Sequence, residues 1–301
     1  MGGVNEQLRV GLVGAGPWAS SVSAPGLADH PGTKLASVWT RRPEAALELA
    51  GRHGASVADD WAALLAEVDA VAFAVPPTVQ AELAPAAAAA GKHLILEKPL
   101  GPDVPAASRI AEAVTEAGVV GMLVLTRRFA PETTEWLAEL RRLGGWSGGE
   151  GKWLSGALLA GDYVDSAWRQ SEGALADVGP HAFDLLDAAL GEITEVVAAS
   201  RTADDLWQVT LAHRGGAYST CALSLRLPLK PSVVEFAVYG ENGYRALSGK
   251  DTPNEECYAA FLDDFVAMVA SGNTSHPCDT RRGLHLQRML DACRHRARES
   301  F

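Results

Sequence analysis

The stretch LRVGLVGAGPWAS near the start of the chain limits how the chain can fold more than any other. Leu8–Val13 is apolar apart from one arginine and a glycine, which predicts a buried strand. Gly14 and Gly16 then predict an abrupt turn, and a helix can begin at Pro17 or Trp18. A glycine turn between a buried strand and a helix start can hold a phosphate, because the backbone comes close and the helix start is positively polarised.

Strand-like and helix-like segments alternate over the first 125 residues. The predicted strands are 8–13, 34–39, 70–75, 93–96 and 119–125. The predicted helices after the first one are 43–53, 61–67, 79–90 and 105–117. Alternation with short links predicts an α/β domain with a doubly wound parallel sheet over residues 1–125.

The pattern changes after residue 125. A helix at 131–143 is followed by GGWSGGEG, which predicts a turn, then by a strand, a loop and a helix around 180–190. Successive β-rich runs without helices between them predict a largely antiparallel sheet: ITEVVAAS, LWQVTLAH, AYSTCALSLRL and SVVEFAVYG. Two helices, at about 255–270 and 280–299, close the chain. We therefore predict a second, α+β domain over 126–301 that binds substrate and mediates oligomerisation.

The second sheet is expected to have one open face, because few helices are predicted to cover it. In STCALSLRLP, the alternate set Cys221, Leu223, Leu225 and Leu227 is predicted to face the core. The run VVEFAVYG is apolar on both faces, which predicts that another surface packs on it. We expect a homodimer or homotetramer built through this sheet, with residues 232–239 at or beside the interface.

Composition excludes several partners. The chain has 301 residues and a formal net charge of −11, so nucleic acid and anionic membranes are not expected partners. It has no apolar run of about 18 residues, so no membrane span is expected. The segment MGGVNEQ lacks the features of a secretion signal, and the four cysteines form no C-x-x-C pair. These features predict a cytoplasmic protein with free thiols.

The glycine turn fits the dinucleotide-binding pattern G-x-G-x-x-[GA] through Gly14, Gly16 and Ala19. The pattern alone is weak, but here it follows a strand, opens a helix and begins a strand–helix–strand unit. A plain glycine turn in another α/β fold is the alternative. We predict that the turn binds the phosphates of a dinucleotide.

The second strand ends in SVWTRRPE, without the acid that would bind the ribose 2′-hydroxyl of NAD. Trp39 and Thr40 take the place of that acid, and Arg41 and Arg42 follow. A guanidinium group binds a 2′-phosphate well, whereas a carboxylate repels it. We therefore predict a preference for NADP(H), with NAD(H) as the alternative. The alternative to a phosphate-binding role is that both arginines are solvated surface charges at a helix start.

Two further motifs point to one family. LILEKPLG contains Glu97-Lys98-Pro99, and GALADVGPHAFDLL reads D-x-G-x-H-x-x-D through Asp177, Gly179, His181 and Asp184. Together with the glycine turn, AVPPTVQAEL and RRFAPE, they resemble the glucose–fructose oxidoreductase / inositol dehydrogenase (Gfo/Idh/MocA) family. The resemblance covers nearly the whole chain.

The resemblance implies a Rossmann domain, an open-faced antiparallel domain, and NAD(P)-dependent hydride transfer on sugars, cyclitols or related hydroxylated compounds. It also implies that Lys98, Asp177 and His181 are the catalytic residues. Gln80 stands where many members have histidine, which puts only a minor cofactor contact in doubt. The candidate cofactor-binding residues are Gly14, Gly16, Pro17, Trp18, Thr40, Arg41, Arg42, Val75, Pro76, Glu97 and Lys98.

The residue types suit this chemistry. Hydride transfer to a carbonyl requires a proton for the developing alkoxide, and histidine titrates near neutral pH. A partly desolvated lysine can polarise the same oxygen. Asp177 lies one helical turn before His181, where it can orient the imidazole or contact a second substrate hydroxyl. Asp184 can simply hold the helix.

Candidate substrate-binding residues flank these motifs. They are Arg128, Phe129, Trp168 and Arg169, whose rings can stack on a sugar and whose guanidinium groups can bind a carboxylate or phosphate. No metal site is expected, because no cysteine or second histidine joins the motif. Two alternatives to a dehydrogenase acting on a small molecule stay open: an NAD-dependent glycoside hydrolase and a non-catalytic dinucleotide sensor.

Overall fold

The computed structural model of the protein describes residues 7–299, which form two compact units. The first unit comprises the residues up to Thr126 together with Asn254–Leu284. The second comprises Arg127–Pro253 and the residues from His285 onward. The domain limits of 1–125 and 126–301 stay a prediction, and these units differ from them mainly in Asn254–Leu284.

The first unit contains a six-stranded sheet in the order β3-β2-β1-β4-β5-β6, and all its strand pairs are parallel. The strands are β1 (Leu8–Val13), β2 (Thr33–Trp39), β3 (Ser56–Val57), β4 (Ala70–Phe73), β5 (His93–Leu96) and β6 (Gly121–Leu123). The helices between them are α1 (Ala24–Asp29), α2 (Pro43–His53), α3 (Trp61–Glu67), α4 (Pro77–Ala89) and α5 (Val104–Ala117). The predicted doubly wound Rossmann sheet is confirmed, and its strand order reverses between β1 and β4.

The helix after the glycine turn is not a regular α-helix. A π-helical turn over Ala19–Ser23 precedes α1, and the Ala24 amide donates to the carbonyl of Ala19, five residues back. Pro25 explains this, because it has no N–H and its ring clashes with the carbonyl four residues earlier. The proline thus widens the helix that starts at the glycine turn.

The segment Asn254–Leu284 joins the first unit through its aromatic side chains. Helix α9 (Asn254–Ser271) carries the fully buried, stacked rings of Tyr258, Phe261 and Phe265. A Cβ on Gly26 would lie 2.5 Å from the Tyr258 ring, so this glycine lets the ring pack against α1. The sequence does not predict this packing, because the segment is far from the first sheet along the chain.

Backbone pairing also ties this segment to the first sheet. The Leu123 amide at the edge of β6 donates to the carbonyl of Cys278 at 2.8 Å. Met122 and Asp279 form an antiparallel bridge at the same place. The edge of β6 is therefore covered rather than exposed.

The second unit contains a six-stranded sheet in the order β12-β11-β7-β10-β9-β8. Its strands are β7 (Trp146–Leu154), β8 (Ile193–Arg201), β9 (Trp207–His213), β10 (Tyr218–Ser224), β11 (Val233–Gly240) and β12 (Gly243–Ser248). Only the β7–β10 pair is parallel among the pairs described. The largely antiparallel sheet predicted from the sequence is confirmed.

Helices cover one face of this sheet. They include α6 (Pro131–Leu143), α7 (Ala167–Asp177), α8 (Gly179–Leu190) and the end of α10 (Thr280–Glu299). Cys221, Leu223 and Leu225 are buried on the covered face as predicted, whereas Leu227 is partly exposed. Burial raises the pKa of the Cys221 thiol and brings that of Cys293 to about 12, so both behave as apolar core groups.

Two local predictions for the second unit are wrong, and one strand was not predicted. The GGWSGGEG segment is mostly strand β7, not a turn, and the loop expected after it contains helix α7. Strand β12 was not expected at all. The glycines of β7 admit neighbouring rings: a Cβ would lie 2.6 Å from the Tyr239 ring at Gly148 and 3.0 Å from the Phe236 ring at Gly151.

Within residues 7–299, no helix has both the length and the apolar character that a membrane crossing requires. The described part of the chain also has no group of three or more His, Cys, Asp or Glu side chains placed to hold a metal ion.

Candidate functional site

The first unit contains a cavity of about 520 Å³ beside the glycine turn. It is formed by the segments that follow β1, β2 and β4, where the strand order reverses and α/β sheets bind ligands. The predicted cofactor residues that line it are Gly14, Gly16, Thr40, Arg41, Arg42, Val75 and Pro76. Pro17, Trp18, Glu97 and Lys98 are not among its lining residues.

The two glycines of the turn have different roles. Gly14 has a φ of 114°, and a Cβ there would lie 2.4 Å from the carbonyl oxygen of Ala74. Gly14 is therefore required by the backbone itself. Gly16 has no atom within 4 Å of the position that a Cβ would take, so its free side faces open space. Gly16 leaves room at the cavity wall, which fits the approach of a phosphate group.

The end of β2 presents two arginines to this cavity. Thr40 Oγ1 accepts a hydrogen bond from the Arg42 amide at 2.8 Å and donates to the Arg42 carbonyl at 2.7 Å. This local ring fixes the turn before α2. Arg41 and Arg42 are exposed, and neither pairs with a carboxylate among residues 7–299. The lining thus combines the open space beside Gly16 with cationic groups, which fits a dinucleotide.

A buried glutamine brackets the segment that carries Lys98. Gln80 is fully buried, and its Oε1 accepts from the Glu97 amide at 2.8 Å. Its Nε2 donates to the carbonyls of Glu97, at 2.9 Å, and Leu100, at 3.0 Å. Gln80 therefore fixes the backbone on both sides of Lys98, which is partly exposed at the end of β5.

Tyr258 lies near Glu97 in the same unit. Burial, and secondarily the Glu97 charge, raise the pKa of Tyr258 above its usual range. A hydrogen bond with Ser23 opposes this shift only in part. The Tyr258 phenol therefore stays neutral at physiological pH.

In the second unit, Asp177 is paired with Arg169. Arg169 Nε donates to Asp177 Oδ2 at 3.1 Å, and both side chains are largely buried. The guanidinium carbon lies 4.2 Å from the ring centre of Tyr163 and 4.7 Å from that of Trp168. Cation–π contacts to two rings and an ion pair with one carboxylate hold this arginine in place. The structure therefore brings three predicted site residues together: Trp168, Arg169 and Asp177.

His181 lies on α8, and Arg128 contacts the same helix from the 3₁₀ turn Thr126–Phe129. The His181 ring stacks on Trp153 of β7, with centres 5.8 Å apart. Arg128 Nη1 lies 3.2 Å from Asp184 Oδ1, and the Asp184 side chain is 1% exposed. Asp184, a residue of α8, thus forms a buried ion pair with Arg128. Phe129 ends the short 3₁₀ turn Thr126–Phe129 and is partly exposed.

Sequence reasoning missed several partners of these residues. Gln80 was noted only as a departure, and Tyr163 and Trp153 were not singled out at all. Tyr163 lies only six residues before Arg169, so a nearby aromatic residue is a usable signal for that contact. Trp153 lies 28 residues before His181, and the sequence gives no local signal for their stacking. No pattern in the sequence indicates that Gln80 reaches the Glu97–Leu100 backbone, because that contact joins residues about twenty positions apart.

Two family models match the chain. One, described as "Oxidoreductase family, NAD-binding Rossmann fold", matches residues 8–125. The other, described as "GFO/IDH/MocA C-terminal domain", matches residues 150–245. The chain belongs to the Gfo/Idh/MocA oxidoreductase family. The resemblance inferred from the sequence motifs is confirmed.

Curated members of the Gfo/Idh/MocA family align with large parts of the chain. Levoglucosan dehydrogenase of Pseudarthrobacter phenanthrenivorans is 30% identical over 226 residues, covering 65% of this chain and 55% of the relative. Inositol 2-dehydrogenase of Rhizobium meliloti is 26% identical over 243 residues, covering 79% and 71%. The first three curated relatives are matched over only 35% to 55% of their own lengths.

A solved structure of a sugar dehydrogenase superimposes on nearly the whole chain. A levoglucosan dehydrogenase in complex with NADH and levoglucosan gives a TM-score of 0.86, with 98% of each chain covered and 20% identity. At this identity the likeness shows the fold alone.

Proposed function

We propose that this Gfo/Idh/MocA protein is an NADP(H)-preferring oxidoreductase that transfers hydride to or from a sugar-like or polyol substrate. The observation that carries the proposal is the cavity of the first unit, where the glycine turn faces Thr40, Arg41 and Arg42. Relatives named for action on levoglucosan and inositol support the substrate class. They favour neither a glycoside hydrolase nor a sensor. The cytoplasmic location stays a prediction.

The proposal assigns the cofactor to the residues of the first unit. Gly14 and Gly16 would hold the pyrophosphate, and Arg41 and Arg42 would bind the 2′-phosphate. Val75 and Pro76 would form the opposite wall of the cavity. The further cofactor contacts would be Pro17, Trp18 and Glu97. When bound, the nicotinamide supplies a hydride donor or acceptor. A phosphate near neutral pH carries up to two negative charges, which the two unpaired guanidinium groups would neutralise.

The proposal assigns proton chemistry to Lys98, His181 and Asp177. The Lys98 ammonium would hydrogen-bond the reacting substrate oxygen, and the His181 imidazole would give or take its proton. Asp177, held by Arg169, would orient the imidazole or bind a second hydroxyl. Arg128, Phe129, Trp168 and Arg169 would contact the rest of the substrate. Ring faces and guanidinium groups suit a hydroxylated ring compound.

Cofactor preference is the first test. NADPH is expected to bind at least about tenfold more tightly than NADH, because a charge-assisted hydrogen bond contributes about 1.5–3 kcal/mol. The preference is expected to vanish in an Arg41→Ala, Arg42→Ala double variant. Fluorescence titration with both nucleotides measures it.

The matched control is Arg52→Ala. Arg52 lies in the last turn of α2, the helix that follows Arg41 and Arg42, and it is exposed and pairs with Glu48 rather than lining the cavity. The control variant should keep the full preference. Equal affinity of the wild-type protein for NADH and NADPH would rule out the NADP(H) assignment, while binding of either nucleotide would still support the site.

Substrate class is tested by turnover. Levoglucosan, myo-inositol and a set of keto-sugars are screened by thermal shift in the presence of NADPH or NADP⁺, followed by nicotinamide absorbance. We expect net reduction or oxidation of at least one compound. Thermal stabilisation by nucleotide, with no turnover of any hydroxylated compound, would contradict the proposed substrate class.

Assembly is proposed through the open face of the second sheet. Tyr218, Gly148, Tyr239 and Tyr244 are register partners in four neighbouring strands, so they form one row on that face. The three tyrosines are 56%, 47% and 57% exposed, and the Tyr239 ring covers Gly148. Such a row suits the same face of a second subunit, related by a two-fold axis.

Light scattering at micromolar concentration tests this assembly. We expect at least a dimer, and a monomer after Tyr239→Lys with Tyr244→Lys, because two buried charges would face each other across the axis. Leu47→Lys is the control, since Leu47 is an equally exposed apolar residue on α2. A wild-type monomer, or dissociation caused by Leu47→Lys alone, would contradict the proposed interface.

A further inference from the structure

The break in helix α7 exposes a backbone donor that a side chain from another element satisfies. Gly173 has a φ of 69° and a ψ of −160°, so Ala174 starts a new helical turn. Amides at a helix start have no acceptor within the helix. The Ala174 amide donates instead to Asp205 Oδ2 at 2.7 Å, in a buried contact.

Asp205 is built into the turn between β8 and β9. Its side chain is 2% exposed, and its Oδ1 accepts from Arg201 Nε and from Trp207 Nε1, each at 3.0 Å. Its φ is 58°, and no other non-glycine residue within 7–299 has a positive φ. Aspartate is one of the few residue types that adopt this conformation. The turn therefore directs the carboxylate inward at some conformational cost.

Gly173 and Asp205 fit each other. A Cβ on residue 173 would lie 2.2 Å from Asp205 Oδ2. The glycine thus provides both the helix break and the space that the carboxylate occupies. Two features far apart in the sequence depend on the same contact.

The turn that Asp205 caps carries two candidate catalytic residues. The Val178 amide donates to the Ala174 carbonyl at 2.9 Å, so 174–178 is a regular helical turn. Asp177 is the last residue of α7, and His181 follows in the first turn of α8. The position of Ala174 therefore sets the position of both side chains.

We propose that Asp205 is a positioning residue for Asp177 and His181. This rests on the proposed function only for what those two side chains do to a substrate. Asparagine cannot replace the carboxylate. If its oxygen faces Ala174, its amide group faces the donors of Arg201 and Trp207, and in the reverse orientation Ala174 loses its acceptor.

The first measurement needs no variant. Hydrogen exchange of the wild-type protein, resolved to single amides, is expected to show the Ala174 amide protected to the level of the Val178 amide, which donates to the Ala174 carbonyl. Helix-start amides without an acceptor exchange fast. An Ala174 amide that exchanges as fast as an exposed helix start would overturn the proposal.

The second measurement compares Asp205→Asn with Asp204→Asn. Asp204 is the exposed neighbour of Asp205 in the same turn. The two variants therefore make the same chemical change, but only Asp205→Asn changes the carboxylate that contacts Ala174. Asp205→Asn is expected to speed exchange over 174–178 by about tenfold or more, as for loss of a buried charged hydrogen bond. It should also shift the ¹³Cε1 NMR signal of His181, assigned with His181→Gln. Identical behaviour of the two variants would overturn the proposal.

Trp207→Phe separates positioning from general stability. It removes one donor to Oδ1 and keeps the Oδ2 contact with Ala174. It should lower Tm but leave the His181 signal in place. An equal shift of that signal in Trp207→Phe and Asp205→Asn would contradict the positioning role.

With a substrate from the screen, Asp205→Asn should lower kcat more than it changes KM. If no compound is turned over, the proposed function fails, while the exchange and NMR results still decide the role of Asp205.

Discussion

Replacing Lys98 by alanine is expected to lower turnover about 10²-fold or more, the usual magnitude for loss of a hydrogen-bond donor to a developing oxyanion. Lys98 follows β5 at the carboxyl edge of the sheet, in a backbone segment that Gln80 brackets on both sides. A backbone held this firmly limits the reorganisation needed to bring the Lys98 ammonium group to a developing alkoxide. Affinity for NADPH should stay within about twofold, because Lys98 does not line the cavity.

Lys92→Ala is the matched control for this prediction. Lys92 is six residues earlier, at the start of β5, and its Nζ donates to the carbonyl of Val68 at 2.9 Å. It lies at the opposite edge of the sheet, so turnover should be unchanged. Near-normal turnover of the Lys98→Ala protein, measured with the best substrate of the screen, would remove Lys98 from the proposed chemistry.

Gly14→Ala is expected to destabilise the first unit by about 3 kcal/mol, the sum of a positive-φ penalty and an overlap with backbone. The Cβ would lie 2.4 Å from the Ala74 carbonyl oxygen, which cannot move without disturbing β4. Thermal unfolding should show the effect as a fall in Tm of about 6–12 °C. Nucleotide binding should weaken with it.

Gly16→Ala is expected to behave in the opposite way. Its Cβ would contact nothing in the protein, so Tm should change by less than about 1–2 °C. The methyl group would occupy space beside the cavity, and nucleotide affinity should fall about tenfold or more if the backbone approaches the phosphates there. Equal Tm losses for Gly14→Ala and Gly16→Ala would contradict this division of roles within one motif.

Most of the first sheet could be predicted because its elements carry their own local signals. The predicted helix bounds 43–53 and 61–67 coincide with α2 and α3. Pro43 begins α2 and Gly54, with a φ of 67°, ends it, while Asp60 caps α3 by accepting from Ala63. Such signals act within a few residues, so they are visible without the fold.

The errors fall where long-range contacts override local signals. Glycines normally indicate a turn, yet those of β7 lie in the middle of a sheet because rings from β11 occupy the space of their side chains. Helix α7 was missed because Gly173 interrupts its pattern, and the break is stabilised by Asp205 from a distant turn. In both cases the partner lies tens of residues away.

The sequence by itself determined the family, the two kinds of sheet and the candidate site residues, because local spacing and short motifs encode them. Only the tertiary structure decided how several of those residues are held. It pairs Arg169 with Asp177 and Arg128 with Asp184, and it places Gln80 against the backbone around Lys98. It also assigns Asn254–Leu284 to the first unit. The physical reason is the same throughout: hydrogen bonds, ion pairs and ring packing depend on distance in space, which the order of residues does not specify.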